Sequence, residues 1–165
     1  MENQLLDLNK TVEKFKADLE NFSNTKVKCG IIGRSGTGKS SLINAIVGEE
    51  VSAVGEIETT FEIGEPIEHR GLLFFDLPGS STTTFPIDTY VEKMGIKNFD
   101  CVILVTADRF YEDDLILIDE ITKIKIPLFA VRTKLDFSLD RGLRRNVSEE
   151  ETIKTIYEDL KKNLQ

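Results

Sequence analysis

VKCGIIGRSGTGKSS, Val27 to Ser41, joins an apolar run to a Gly-rich turn and then to the first residues of a helical pattern. The apolar half predicts a strand over 27–32, and the residues after Gly38 predict a helix over 39–47 that stops at Gly48. Gly33, Gly36 and Gly38 allow the backbone to wrap closely around an anion, with its N–H groups turned toward a phosphate. Lys39 then reaches the β- and γ-phosphate oxygens, and the Ser40 hydroxyl ligates Mg2+. The spacing G-x4-G-K-S recurs by accident in many chains, but a strand before it and a helix after it are the context that makes it a phosphate-binding loop. The nucleotide-binding set expected from this stretch is Gly33, Arg34, Ser35, Gly36, Thr37, Gly38, Lys39, Ser40 and Ser41. Arg34, at the second loop position, is expected to point into solvent rather than at the phosphates.

Further along, LLFFDLPG (Leu72 to Gly79) is a strand ending in Asp-x-x-Gly. Asp76 would hold the magnesium through a water, and Gly79 would turn its N–H toward a γ-phosphate. Between the two motifs, Thr59 and Thr60 are placed for a hydroxyl to complete the metal shell, and Thr60 is preferred. The expected metal set is therefore Ser40, Thr60 and Asp76. Ser80 occupies the position after Asp-x-x-Gly where a Gln would orient the attacking water, and its short hydroxyl cannot replace that amide. Glu58 and Glu62 are candidates to orient water or to touch a partner's ribose.

The base is read from RTKLD, Arg132 to Asp136. Asp136 can accept hydrogen bonds from guanine N1–H and N2–H2 while the Lys134 stem lies over the ring. Adenine would leave that carboxylate unpaired, a mismatch that discriminates by about 10^4 to 10^5. Thr133 stands where this motif more often has Asn; one neutral hydrogen bond fewer costs about 0.5–1.5 kcal/mol, so affinity weakens while guanine preference survives.

Short apolar runs alternating with amphipathic helices describe an α/β fold with a mostly parallel sheet flanked by helices. The remaining strands are expected at 61–67, 72–76, 101–106 and 127–132, and the remaining helices at 87–98, 112–125 and 149–163. Ser148 and Glu151 form a capping box ahead of the last helix and its stripe of Ile153, Ile156, Tyr157, Leu160 and Leu164. Residues 66–71 read as a hairpin turn carrying His69, with no ligand role. Arg109 anchors the loop before the third helix, and Arg141, Arg144 and Arg145 are placed in a charged, solvated loop. Leu5, Leu8, Val12, Phe15, Leu19 and Phe22 step by three and four, so residues 1–24 form an amphipathic helix ahead of a nucleotide-binding domain at 25–165. That seam would pack on the domain or pair with a second copy.

Composition narrows the partners. At 165 residues the chain is one domain's worth of core. A net charge of -8 and the lack of any basic block argue against nucleic acid. The longest apolar stretches, such as Cys101 to Val105, are far short of the ~18 residues that span a bilayer. Cys29 and Cys101 lie in strand patterns and are expected as buried thiols in a reducing cytoplasm.

DLPG, FPIDTYVEKM (Phe85 to Met94), FDCVILVTADRF (Phe99 to Phe110) and VRTKLD together resemble the immunity-related GTPases, the interferon-inducible group. The resemblance implies a Ras-like GTP-binding domain, slow turnover as a monomer, faster turnover when two domains meet across their nucleotides, and a helical domain built from both chain ends. The sequence runs only to Gln165, so the last strand and helix of that fold are expected to be missing. The expectation is a GTP/GDP-binding protein with slow, Mg2+-dependent hydrolysis and a transient homodimer through the nucleotide face. Its catalytic set is Lys39, Thr60, Gly79 and Glu62. A cytoplasmic location is expected, with peripheral membrane contact left open. A non-catalytic interaction module is the main alternative, and an ATP-dependent enzyme a weaker one.

Overall fold

The computed structural model describes residues 25–52 and 64–164, together with Glu13, Lys14 and Lys16, which are helical and exposed. The rest of the expected N-terminal helix lies outside the described residues, as do Glu58, Thr59, Thr60 and Glu62.

The elements run β1 (Val27–Ile32), α1 (Lys39–Val47), β2 (Ile67–His69), β3 (Leu72–Asp76), α2 (Ile87–Lys93), a 3-10 turn (Ile96–Asn98), β4 (Cys101–Thr106), α3 (Glu112–Lys123), β5 (Leu128–Arg132), α4 (Leu135–Arg144) and α5 (Glu149–Asn163). The sheet order is β2-β3-β1-β4-β5. β1 pairs in parallel with β3 on one side and β4 on the other, β4 pairs in parallel with β5, and β2 is antiparallel to β3. From β1 the chain thus proceeds to one side of the sheet and then to the other, which opens a crevice at the carboxyl end of β1, the place where such sheets bind ligands.

Central strands covered on both faces carry near-continuous apolar runs, and β1 and β4 fit that rule. Neighbouring residues of β1 feed opposite faces. Ile31 joins Cys29, Ile43, Phe74 and Val105 under α1, while Ile32 joins Leu77, Tyr90, Leu104, Leu117 and Ile121 under α2 and α3. Cys29 and Cys101 are register partners, as free thiols with their Sγ atoms 3.0 Å apart. Burial pushes the Cys29 thiol up to about 12, so it stays protonated.

Three sequence expectations need correction. Of the strand placed at 61–67, residues 61–63 lie outside the described residues, 64–66 are not strand, and the described strand is Ile67–His69, after Pro66, which has no N–H for a ladder. The hairpin turn is only Arg70–Gly71, with φ of 50° and 81°, the left-handed pair of a two-residue loop. The helix placed at 87–98 divides at Gly95, whose φ is 58°, into α2 and the 3-10 turn.

A further correction is α4. The supposed solvated loop is a helix, with Arg141 and Arg144 in its last turn and Arg145 as its C-cap. Gly142 and the arginines hide it in the sequence, although Leu135, Leu139 and Leu143 recur every four residues. Gly142 is needed for packing, because a Cβ there would lie 2.4 Å from Thr152 Oγ1 of α5. α5 itself is capped by Ser148, whose Oγ accepts from Glu151 N at 3.2 Å. Its stripe is only half used: Ile156 and Leu160 are partly buried, whereas Ile153, Tyr157 and Leu164 stay exposed.

Candidate functional site

The Gly-rich loop leaves β1 between the ends of β3 and β4. At Gly33, with φ 142°, any Cβ would come within 2.3 Å of the Val105 carbonyl oxygen, so only glycine lets the loop pass so close to β4. Gly36 and Gly38 also have positive φ, 74° and 90°, and Gly38 caps α1. The Thr37 hydroxyl closes the loop on the Arg34 carbonyl at 2.9 Å. Ser35 and Gly36 are exposed at the rim, and Ser41 is exposed on α1. Lys39 is only 8% exposed, and its Nζ donates to the carbonyls of Gly33 and Arg34 at 3.2 and 3.3 Å. The ammonium is therefore held inside the curl of the loop.

Asp76, at the end of β3, accepts hydrogen bonds at one oxygen from the hydroxyls of Ser40, at 2.5 Å, and Ser52, at 2.7 Å. Its other oxygen, Oδ1, is buried and has no hydrogen-bond partner among the described residues. A hydroxyl and a carboxylate with an uncommitted oxygen form a hard-oxygen set suited to Mg2+. Ser40 and Asp76 thus come together as the sequence predicts, while Thr60 lies outside the described residues.

Backbone hydrogen bonds tie the Asp-x-x-Gly loop to the Gly-rich loop, from Leu77 N to Ile31 O at 3.2 Å and from Ser80 N to Gly33 O at 3.1 Å. Tyr90, buried in α2, donates its hydroxyl to the Pro78 carbonyl at 2.6 Å and holds the same loop from the other side. Gly79 lies between these anchors and is buried. The Ser80 hydroxyl is also buried and has no hydrogen-bond partner among the described residues.

Thr133 Oγ1 donates to Thr37 O at 2.5 Å and lies 3.2 Å from Thr106 O, which fastens the RTKLD loop to the Gly-rich loop. Lys134, in the left-handed region at φ 52°, caps α4, and Asp136 is exposed in the first turn of that helix. Lys134 also lines a cleft of about 390 Å3 with Ala107, Asp108, Phe137 and Arg141. Arg141 pairs with Asp108, and this hydrogen-bonded guanidinium holds the Asp108 carboxyl below the usual value. Arg132, 4% exposed at its side chain, donates to the Asp108 carbonyl and pairs with Asp159 of α5 at 2.7 Å, which braces the loop and helix together.

Arg34 does not point freely into solvent. Its guanidinium lies 4.0 Å from the centroid of the Tyr111 ring, and Arg109 lies 5.0 Å from the same ring. These groups flank a second cleft of about 220 Å3, with Thr106 and Asp114 in its wall. Sequence reasoning missed Asn44, Ser52 and Tyr90. A buried-helix tyrosine and an Asn near a helix end carry no distinctive spacing, so little in the sequence marks them.

With this geometry in hand, the comparisons with known proteins are specific. The family described as interferon-inducible GTPase (IIGP) matches residues 1–165. The chain belongs to this family. Interferon-inducible GTPase 1 of Mus musculus is 34% identical over 126 residues, which is 72% of this chain and 30% of that protein. T-cell-specific guanine nucleotide triphosphate-binding protein 2 of Mus musculus is 33% identical over 175 residues, 99% of this chain and 41% of its own length. This interferon-inducible GTPase chain thus spans well under half the length of those two curated relatives. The solved structure of Toc33 from Arabidopsis thaliana in complex with GDP and Mg2+ covers 94% of this chain and 68% of its own, with a TM-score of 0.64 and 20% identity. At that identity the likeness shows the fold, a small-GTPase G domain.

Proposed function

We propose that this interferon-inducible GTPase domain binds GTP and GDP with Mg2+, hydrolyses GTP slowly alone, and is accelerated when two copies meet at their nucleotide faces. The observation that carries the reading is the fastening of three loops into one crevice: Lys39 curled in the first, Ser40 bonded to Asp76 of the second, and Thr133 of the third bonded to the first.

In this reading, Lys39 moves from two backbone carbonyls to phosphate oxygens, where its charge counts for more. Ser40 and Asp76, with Thr60, would hold the metal, which when bound supplies charge neutralisation between the β- and γ-phosphates. Gly79 offers its N–H to the γ-phosphate, and Asp136 with Lys134 reads guanine. Ser80 cannot orient a water, so hydrolysis is slow until a partner contributes the missing group, with Glu62 the candidate. The solved structures of chloroplast translocon components include one titled "Dimerization is important for the GTPase activity of chloroplast translocon components atToc33 and psToc159", at TM-score 0.62 and 22% identity. What is said there of those proteins supports the same arrangement here. A cytoplasmic setting accords with the paired free thiols. Arg141 and Arg144 are answered by Asp108 and Asp140, which weakens the case for a lipid contact at α4.

The test is displacement of a fluorescent guanine nucleotide by GTP and by ATP, followed by single-turnover hydrolysis with and without excess protein. Equal displacement by ATP would overturn the guanine assignment. GTP binding without any turnover would select the alternative, a non-catalytic interaction module, which the burial of Ser80 favours.

A further inference from the structure

Asn44 stands on α1 four residues after Ser40, and its whole amide is committed to the chain that follows the helix. Its Oδ1 accepts from the N–H groups of Val51, at 3.0 Å, and Ser52, at 2.8 Å, while its Nδ2 donates to the Ser52 carbonyl at 2.9 Å. Gly48, in the left-handed conformation at φ 89°, turns the chain back so that these bonds can form. Three hydrogen bonds thereby fix the backbone at Ser52. From that position the Ser52 hydroxyl donates to Asp76 Oδ2 at 2.7 Å, the oxygen that also takes Ser40. Asp76 Oδ1 is left buried and without a hydrogen-bond partner among the described residues.

We propose that Ser52, set in place by Asn44, is a positioning residue for the magnesium site. Two hydroxyls on one carboxylate oxygen fix the plane of the group and leave the other oxygen for the metal's shell. Hydrogen-bonding partners of a ligand commonly change metal affinity by about 10- to 100-fold. The inference rests on the proposed Mg2+-nucleotide reading of the crevice.

The experiment uses the full chain loaded with fluorescent GDP, whose release is followed at free Mg2+ concentrations from excess EDTA upward. In Ser52→Ala the Mg2+ concentration that half-maximally slows release should rise about tenfold, with the EDTA rate changed less than about twofold. Ser52→Thr should restore the midpoint, and Asn44→Ala should shift it in the same direction as Ser52→Ala. An unchanged midpoint in Ser52→Ala would overturn the proposal. So would release that quickens equally with and without Mg2+, since that is the mark of a general loosening of the fold. If the unsubstituted chain takes up no fluorescent GDP, or releases it independently of Mg2+, the reading of the crevice fails first, and that result is separate from either outcome for Ser52.

Discussion

Lys39 donates to the Gly33 and Arg34 carbonyls inside the curl of the Gly-rich loop. Lys39→Ala should weaken GTP binding by about 2–3 kcal/mol, the range for hydrogen bonds to charged groups, as read by calorimetry. Asp136→Asn should weaken GTP and favour xanthosine triphosphate, whose C2 carbonyl accepts from an amide; an untouched guanine preference would sink the RTKLD assignment. Asp114 offers a pH test. Burial raises its carboxyl above the ordinary 3.8, against the hydrogen bond from Tyr111 N–H and the field of Arg34. A native value above the unfolded one contributes stability below about pH 4, which is lost as pH rises through the native value. Asp114→Asn keeps an acceptor for Tyr111 and should therefore gain on the unsubstituted chain in denaturant midpoint as pH rises from about 4 to 7. The positions of Lys39 and Ser40 after β1, of Asp76 at the end of β3, and of Asp136 after β5, were legible because their motifs have fixed spacing. Arg34 was misread because its partner, Tyr111, is distant in sequence and comes beside it only through the pairing of β1 with β4.

The Tyr90 hydroxyl adds a buried hydrogen bond to the apolar contact between α2 and the Asp-x-x-Gly loop. Tyr90→Phe would leave the buried Pro78 carbonyl without this donor, at about 1–3 kcal/mol, visible as a lower denaturation midpoint at constant slope. The α4–α5 contact is close at Gly142. Gly142→Ala must displace Thr152 and should cost about 1–3 kcal/mol by overpacking, even though alanine favours a helix. A variant as stable as the parent would show that the two helices can part without penalty. The elements most readable in sequence were those bounded by hard stops, as α1 is by Gly38 and Gly48 and α5 by Ser148. α4 was obscured because its apolar residues face little core: Phe137 is 64% and Leu143 55% exposed.

At the scale of the whole molecule, Ser80 turned inward leaves the crevice without a visible water-orienting group among the described residues. If a second copy supplies it, specific GTPase activity should rise with protein concentration and level off near the dimer dissociation constant, since groups supplied in trans contribute about 10^3 to 10^5 in rate. Constant specific activity over a roughly hundredfold range, with monomers confirmed by light scattering in GTP, would defeat self-activation. The sequence alone determined the class of fold and the place of the Gly-rich, Asp-x-x-Gly and RTKLD segments at strand ends, because each is written in contiguous residues whose spacing follows from backbone geometry. The tertiary structure alone decided that Thr133 fastens two of those loops, that Ser52 shares Asp76 with Ser40, and that Ser80 is buried. Those facts depend on which side chains a parallel sheet with β1 at its centre brings together, and the partners lie 24 to 96 residues apart in the chain, beyond the reach of any local pattern.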